Sequence, residues 1–526
     1  MNNVQYPYYY TPELSNLQNL IIYCAEKYGD KTAFCYLNKN VEVKKSYRTF
    51  FEDVTSLCNY FITNGYSRTH IAVLGENSYE WLVSFFAIAN SNNVVVPLDK
   101  ESDKTDICKI IDKSDSAVII HSDDYTDEAS INKDIALINM KNLPEIINEH
   151  KCSDLSFYDN IKIDNNALCA LFYTSGTTSE PKGVMLSHKN IICDTIATSK
   201  SVRVADPSLL VLPLHHTYGF VAGVTIPMLI GSSVFINSSI RYLTRDINYA
   251  KPEYIAVVPL IAEVMYKKIL DNVQKNGKEK LLRKLLTISD ALCKAGIDLR
   301  RKIFSGVIDG FGGNLKILVI GGAAIDPEIV RNFSSFGIKA LTGYGITECS
   351  PVVSTVRNEH YCPESVGTIH PGVDVRIVDG EIQVKGDTVF SGYYKNPEAT
   401  EAAFDGEWFK TGDIGEIRNN YLYITGRIKN LIVLPNGENV SPEELEAKIS
   451  GDIPDINEIV IFEKNGAIVA EIFPKSCDEK VTSDIENRIY EFNKNLPVYK
   501  QIREVIFRDT EFPKTSSKKI KRTQGK

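Results

Sequence analysis

The sequence predicts an α/β protein that ends in a smaller C-terminal domain of different architecture. Residues 70–98 contain two apolar, strand-like runs separated by a stretch with helical apolar spacing. Residues 315–341 repeat the order of strand, glycine turn, helix and strand, with Asp326 as the expected helix N-cap. Alternation of this kind indicates parallel sheets flanked by helices, whose sites form where the strands end.

The glycine-bearing segments Gly321–Asp326 and Thr342–Glu348 are therefore expected at one sheet edge, a few strands apart. Beyond about residue 372 the pattern changes to alternating residues with hairpin turns at Asp379–Gly380 and Asn419–Asn420, which predicts an antiparallel region over about 372–427. Shorter strands and helices follow from about Lys429. We expect a large domain over residues 1–427 and a small one over 428–526.

Composition excludes several classes of protein. A chain of 526 residues is too long to fold around a single hydrophobic core. Its composition, with 43% hydrophobic and 24% charged residues, is ordinary for a soluble protein. A net charge of −8 argues against a general nucleic-acid binder. The start lacks a signal-peptide pattern, and the apolar stretch Phe220–Ile236 is interrupted by glycine, proline and serine, so no transmembrane segment is expected. Eleven scattered cysteines without a CxxC pair favour reduced thiols in the cytoplasm.

The most informative run is YTSGTTSEPKGVMLSH, from Tyr173 to His188. Its hydroxyls, glycines and single lysine, Lys182, provide donors and a cation suited to a polyphosphate. It is not a Walker A loop, because Pro181 precedes the lysine and Gly183 follows it.

This run resembles the phosphate loop of the adenylate-forming superfamily, and further motifs of that superfamily follow in order over nearly the whole chain. The NGENVSPEELE segment, within residues 426–446, is most similar to fatty acyl-CoA synthetases. The resemblance implies parallel α/β sheets, a β-barrel-like subdomain and a mobile C-terminal α+β domain. It also implies that a set of loop residues binds the ATP phosphates: Thr174, Ser175, Gly176, Thr177, Thr178 and Lys182.

Two further motifs resemble the parts of the superfamily that hold the acid and the adenine. In LPLHHTYGF, His216 matches the position that contacts the carboxylate and gates its access. In VIGGAAID, Gly322 and Ala323 match the adenine-binding loop, where glycine lets the backbone approach a flat base.

LTGYGITECSP adds Tyr344 and Gly345 as adenine contacts. Thr347 and Glu348 resemble the pair that contacts the α-phosphate and holds Mg2+, with Thr174 as a second metal contact.

By the same resemblance, the remaining motifs contain the residues that contact ribose and phosphate, the hinge residue and the catalytic lysine. Asp413 matches the ribose acceptor and Arg427 a ribose and phosphate contact. Lys429 falls at the hinge residue. Lys519, in FPKTSSKKIKR, matches the catalytic lysine that bridges the carboxylate and the α-phosphate.

Two residues depart from the superfamily pattern. Ser179 replaces a usual glycine in the phosphate loop, and Lys518 replaces the glycine that usually precedes the catalytic lysine. A non-catalytic nucleotide-binding relative is therefore the alternative of a different class.

The implied reaction is ATP-dependent activation of a carboxylic acid to acyl-AMP, followed by transfer to a thiol. Amino-acid-activating relatives place an aspartate near the His-aromatic motif, and no acid lies near Leu214–His216 in this sequence. We therefore expect a simple acid, with a fatty acid as the leading candidate and residues 221–236 as candidate pocket lining. Coenzyme A is the expected acceptor. The phosphopantetheine arm of an acyl carrier protein is the alternative, and a lipid substrate leaves transient membrane contact open.

Overall fold

The fold is that of a mixed α/β protein built on two parallel sheets, as the sequence predicts. The structure is a computed structural model, and it describes residues 7–129, 135–151, 156–174, 180–434, 439–464, 466–514, 520 and 522. Within these ranges, no helix is both long and apolar enough to cross a membrane. The cysteines found there are all free thiols.

The largest sheet has nine strands and carries most of the nucleotide motifs. Its centre is parallel, whereas both ends pair antiparallel. Its strands, in spatial order, are Thr368–Ile369, Val352–Thr355, Lys339–Gly345, Ile317–Ile320, Tyr254–Val257, Ser208–Leu210, Val234–Ile236, Thr32–Asn38 and Val41–Ser46.

The second sheet has six strands and carries the phosphate-loop hairpin at its edge. Four of its pairings are parallel and the last is antiparallel. Its strands are Ala136–Asn139, Ser116–His121, His70–Leu74, Val94–Leu98, Leu168–Thr174 and Lys182–Ser187.

Both βαβ units predicted from sequence are present. Helix Tyr79–Asn90 connects two parallel neighbours, and helix Pro327–Ser335 begins where the Asp326 side chain accepts a hydrogen bond from the Glu328 N–H. The longer helices of the N-terminal region are Leu17–Tyr28, Tyr47–Thr63, Tyr79–Asn90, Lys104–Lys113, Leu143–Glu149, His188–Ser201, Leu243–Ala250, Pro259–Lys275, Glu279–Lys294, Pro327–Ser335 and Pro397–Ala403. The shorter ones are Thr126–Ala129, Ser156–Asp159, Thr217–Phe220, Ile226–Leu229, Arg300–Ile303 and Ser305–Asp309.

One expectation about the glycine segments is wrong in detail. Strands Ile317–Ile320 and Lys339–Gly345 are direct parallel neighbours, with Ile320 opposite Thr342, so these segments lie one strand apart rather than a few. Residues 342–345 also continue the strand, because Tyr344 pairs with Ser354 of an antiparallel neighbour.

The antiparallel region forms a five-stranded sheet with both predicted hairpins. Asp379, Asn419 and Asn420 have positive φ, as tight hairpin turns require. Its strands are Val373–Val378, Glu381–Gly386, Phe404–Asp405, Trp408–Arg418 and Tyr421–Arg427.

The C-terminal residues have a hydrophobic core of their own, formed by buried side chains from Ile432 to Ile502. Helix Pro442–Asp452 starts at Ser441, whose hydroxyl accepts a hydrogen bond from the Glu444 N–H. The elements of this region are strands Ile432–Val433, Asn439–Val440, Ile456–Lys464, Ala467–Pro474 and Ile502–Phe507, with helices Pro442–Asp452 and Glu479–Asn493.

Candidate active site

Three residues from two sheets meet in one polar cluster. Tyr344 Oη donates to Asp413 Oδ2 at 2.7 Å, and Arg427 Nε lies 2.8 Å from Asp413 Oδ1. Asp413 and Arg427 face each other across strands Trp408–Arg418 and Tyr421–Arg427, so their pairing follows from strand register. Burial raises the pKa of Tyr344, which keeps its hydroxyl protonated as a donor. The predicted adenine and ribose residues are therefore adjacent.

Glu348 lies in a second cluster, in the turn Thr347–Cys349 that follows strand Lys339–Gly345. Only 7% of Glu348 is exposed, and Tyr393 Oη donates to its Oε1 at 2.8 Å. Burial raises the pKa of this carboxyl, and the bond from Tyr393 opposes that shift. A carboxylate held in this way suits a hard divalent cation such as Mg2+, whose charge offsets the cost of burying the anion.

The phosphate-loop lysine reaches the same cluster through Tyr393. Lys182 Nζ lies 5.0 Å from the centre of the Tyr393 ring, within range of a cation–π contact. Thr174 faces Lys182 across their hairpin, and strand Lys182–Ser187 packs against the turn that holds Glu348. The loop residues Ser175, Gly176, Thr177, Thr178 and Ser179 lie outside the described residues.

Gly322 and Gly345, the glycines predicted to contact adenine, differ in their surroundings. A Cβ on Gly345 would lie 2.2 Å from the Pro351 carbonyl oxygen, so only glycine fits there. Gly322 has a φ of +90° and is exposed together with Ala323, at the end of strand Ile317–Ile320. The exposed Gly322, which has no Cβ, leaves the backbone open to a flat ligand, whereas Gly345 packs against Pro351.

A mostly apolar cavity lies beside these residues and reaches Tyr218 of the His-aromatic motif, whereas His216 is not part of its lining. Tyr218 forms part of its wall, with its hydroxyl directed to the carbonyl oxygens of Val257 and Val319. The cavity is lined by Thr198, Val202, Val204, Tyr218, Ala222, Ile226, Tyr254, Val319, Gly321, Gly322, Gly343, Tyr344, Gly345, Pro351, Val352 and Thr355. Of the predicted pocket stretch 221–236, Ala222 and Ile226 reach it.

The two histidines of that motif have an acidic neighbour that the sequence did not reveal. The His215 and His216 rings are 4.5 Å apart, and His215 Nε2 lies 3.3 Å from Asp99 Oδ1. The expectation that no acid lies near the motif is therefore wrong. Asp99 is distant in sequence, since it follows strand Val94–Leu98 of another sheet, but the fold brings it beside His215. Burial lowers the pKa of His215, so the ring is neutral near pH 7. Among the described residues that line the cavity, none is acidic.

Lys429, the predicted hinge residue, and Lys519, the predicted catalytic lysine, both follow Arg427 in the sequence. Lys429 is exposed in the single turn Ile428–Asn430, directly after Arg427. Lys518 and Lys519 lie outside the described residues, between Lys514, which pairs with Glu458 at 2.5 Å, and Arg522, which pairs with Glu446.

Sequence reasoning missed Tyr393. It lies in the segment GYYK, 45 residues after Glu348, and no local pattern connects the two. Its position follows from backbone pairing with the phosphate-loop hairpin, because Tyr393 bridges to Val184 and the Tyr394 N–H donates to the Gly183 carbonyl at 2.8 Å.

Comparison with known proteins gives concordant results. One relative is a chloroplastic long-chain-fatty-acid–[acyl-carrier-protein] ligase from Arabidopsis thaliana, 28% identical, with 80% of this chain and 71% of the relative covered. Another is a long-chain-fatty-acid–CoA ligase from Mycobacterium bovis, also 28% identical, with 74% and 70% covered. The structure of a Mycobacterium tuberculosis fatty acyl CoA synthetase superposes with a TM-score of 0.69 at 22% identity, covering 96% of both chains, which shows the shared fold.

Two family models match the chain itself. The model of the AMP-binding enzyme matches residues 23–394, and that of the AMP-binding enzyme C-terminal domain matches residues 429–525. The first match alone spans well over half of the sequence, and the protein therefore belongs to the AMP-binding enzyme family.

Proposed function

We propose that the protein converts a fatty acid and MgATP into acyl-AMP and pyrophosphate, and then transfers the acyl group to the thiol of coenzyme A. The observation that carries this proposal is the apolar cavity, whose wall includes Gly322, Tyr344 and Gly345. An acid bound there would present its carboxylate beside the adenine-binding residues, which places the reacting groups close together.

In the first half-reaction, a carboxylate oxygen attacks the α-phosphorus of ATP and the bond to pyrophosphate breaks. Attack by one anion on another needs positive charge and fixed positions more than covalent chemistry. Lys182 and Lys519 supply cations, while Asp413 accepts hydrogen bonds from the ribose hydroxyls and Tyr344 packs against adenine. Thr347 contacts the α-phosphate.

Magnesium bound by Glu348 and Thr174 would neutralise charge on the phosphate oxygens. Tyr393 orients the Glu348 carboxylate, and His216 controls access of the acid to the α-phosphate.

In the second half-reaction, the thiolate sulfur attacks the acyl carbonyl, the bond to AMP breaks and a thioester forms. We propose that residues 428–526 form a small domain that turns about Lys429 between the two steps. Its own hydrophobic core supports this division, since each part can retain its packing while the connection moves.

The apolar cavity favours an unsubstituted acyl chain over an amino acid. A buried substrate ammonium would need an anionic partner, and the described lining of the cavity provides none. The nearby carboxylate of Asp99 already contacts His215.

The names of the relatives point to two acceptors for the acyl group. One relative is named a CoA ligase and another an acyl-carrier-protein ligase, and both acceptors end in the same phosphopantetheine thiol. We propose coenzyme A, with the acyl carrier protein as the alternative acceptor.

Acid-dependent exchange between ATP and pyrophosphate tests adenylation. We expect exchange with straight-chain fatty acids and none with amino acids, followed by thioester formation when CoA is added. Thioester formation with holo-acyl carrier protein but not with CoA would reassign the acceptor. Binding of AMP without exchange for any acid would show a non-catalytic nucleotide-binding protein instead.

A further inference from the structure

The apolar cavity ends at a thin wall that it shares with a second cleft. Val202 and Val204 line the inner cavity and also an open cleft on the outer surface. Their exposed fractions are only 4% and 5%, so the two valines separate the two spaces. Tyr344 and Gly345 belong to the inner cavity alone, which places the valines at its surface-facing end.

Local backbone geometry explains why these two side chains act together. Val202 terminates helix His188–Ser201 with extended dihedral angles, φ −123° and ψ 125°. Val204 follows two residues later, and both valines line the same two spaces. Asn358 fixes the intervening residue, because its Oδ1 accepts from the Arg203 N–H at 2.7 Å and its Nδ2 donates to the Arg203 carbonyl at 3.1 Å.

The outer cleft has a mixed surface, and an apolar chain would follow its apolar part. Its charged lining residues are Lys27, Arg203, Asp206, Glu253, Lys316, Lys339 and Glu359. Leu229, Ile230 and Tyr28 contribute apolar surface to it. Lys27 Nζ lies over the Tyr23 and Tyr28 rings, 4.9 and 5.3 Å from their centres, and so makes cation–π contacts with both rings.

We propose that Val202 and Val204 set the maximum length of the acyl chain, by stopping its methyl end at the boundary between cavity and cleft. This inference rests on the proposed function. A chain that fits the inner cavity gains about fourfold in affinity for each buried methylene. A longer chain meets the valines, and it can continue into the outer cleft only when their side chains are smaller.

The test is the dependence of kcat/KM for ATP–pyrophosphate exchange on acid length, measured with saturated acids from hexanoate to stearate. Val202→Ala and Val204→Ala each remove two methyl groups from the wall. We expect the preferred acid to become longer by about two methylenes, with about a tenfold gain for the first acid that the wild type rejects. Val204→Leu extends the wall and should shift the preference to shorter acids.

Ile230→Ala is the matched control, because Ile230 lines only the outer cleft. It should leave the length profile unchanged. An unchanged profile in Val202→Ala, Val204→Ala and Val204→Leu, with exchange retained, would overturn the role of the wall and leave the proposed function intact. Absence of exchange in the wild type with every acid would instead overturn the proposed function.

Discussion

Tyr393 donates a 2.8 Å hydrogen bond to the buried carboxylate of Glu348, although the two residues lie on separate segments. Burial raises the pKa of Tyr393, so the hydroxyl keeps its proton. Its ring also faces Lys182, so Tyr393 contacts both the proposed phosphate-binding lysine and the proposed metal-binding carboxylate. One tyrosine thus positions two charged groups of opposite sign.

Replacing Tyr393 by phenylalanine should weaken Mg2+ binding while retaining the ring beneath Lys182. Losing a hydrogen bond that orients a metal-binding carboxylate typically lowers metal affinity about 10- to 100-fold. The measurement is the Mg2+ dependence of ATP–pyrophosphate exchange. Tyr394→Phe is the control, because that hydroxyl bonds to Asp115 instead. Equal Mg2+ dependence in both variants would contradict the role of Tyr393.

Asp413→Asn should raise the KM for ATP without a comparable change for the acid. The substitution removes the anion that pairs with Arg427 and accepts from Tyr344, and a hydrogen bond to a charged group is worth about 1.5–3 kcal/mol. We expect about a 10- to 100-fold increase in the KM for ATP, measured by exchange. Tyr344→Phe should have a smaller effect, since it leaves the carboxylate in place. A larger effect of Tyr344→Phe would argue against Asp413 as the ribose acceptor.

Lys519→Ala should lower the rate of adenylation by about 10²–10³, the scale for losing one preorganised electrostatic contact. Pyrophosphate release at saturating acid and ATP provides the rate. Lys448→Ala is the control, because Lys448 makes an exposed helical ion pair with Glu444. Wild-type pyrophosphate release in Lys519→Ala would refute its assignment as the catalytic lysine.

Lys429→Pro should slow thioester formation more than adenylation. Proline fixes φ and so restricts the turn Ile428–Asn430 about which we propose the small domain rotates. The two half-reactions are compared by exchange and by acyl-CoA formation, with Lys429→Ala as the control for loss of the side chain. Equal losses in both half-reactions would show that this turn is not the pivot.

Acidification should weaken Mg2+ binding at a higher pH than for an exposed glutamate. Burial raises the pKa of Glu348, and the cation binds only the ionised form. The Kd for Mg·ATP, measured as pH is lowered, should therefore rise as pH falls through that raised pKa. Tyr393→Phe should move this midpoint to still higher pH, because the bond from Tyr393 lowers the pKa. A midpoint below that of a free glutamate would contradict the shift.

The same shift affects folding of the ligand-free protein in the opposite direction. A carboxyl whose folded pKa is raised binds its proton more tightly when folded, so its contribution to stability is lost as pH rises through the folded pKa. Glu348→Gln should remove this dependence, which thermal unfolding across pH can measure.

Local patterns predicted much of the fold correctly. The hairpins at Asp379–Gly380 and Asn419–Asn420 and the helix that begins after Asp326 depend on neighbouring residues, and all three are present. Asp413 and Arg427 were identified separately, and the structure adds that strand register places them opposite each other.

Contacts between distant segments were not predictable in this way. Asp99 beside His215 and Tyr393 beside Glu348 each join different elements, and their sequence neighbourhoods carry no sign of the partner. The sequence also predicts too wide a spacing between the two glycine segments, because strand order depends on how the whole sheet assembles.

The pairing of Asp413 with Arg427 has a consequence for the order of events. Arg427 is the last residue before the turn that contains Lys429, so Asp413, the proposed ribose acceptor, pairs with the strand end from which residues 428–526 continue. A ribose hydroxyl that donates to Asp413 would share this carboxylate with Arg427 and so change the ion pair at that strand end. In the proposed rotation about Lys429, binding and release of the nucleotide would be coupled to movement of residues 428–526 through this ion pair.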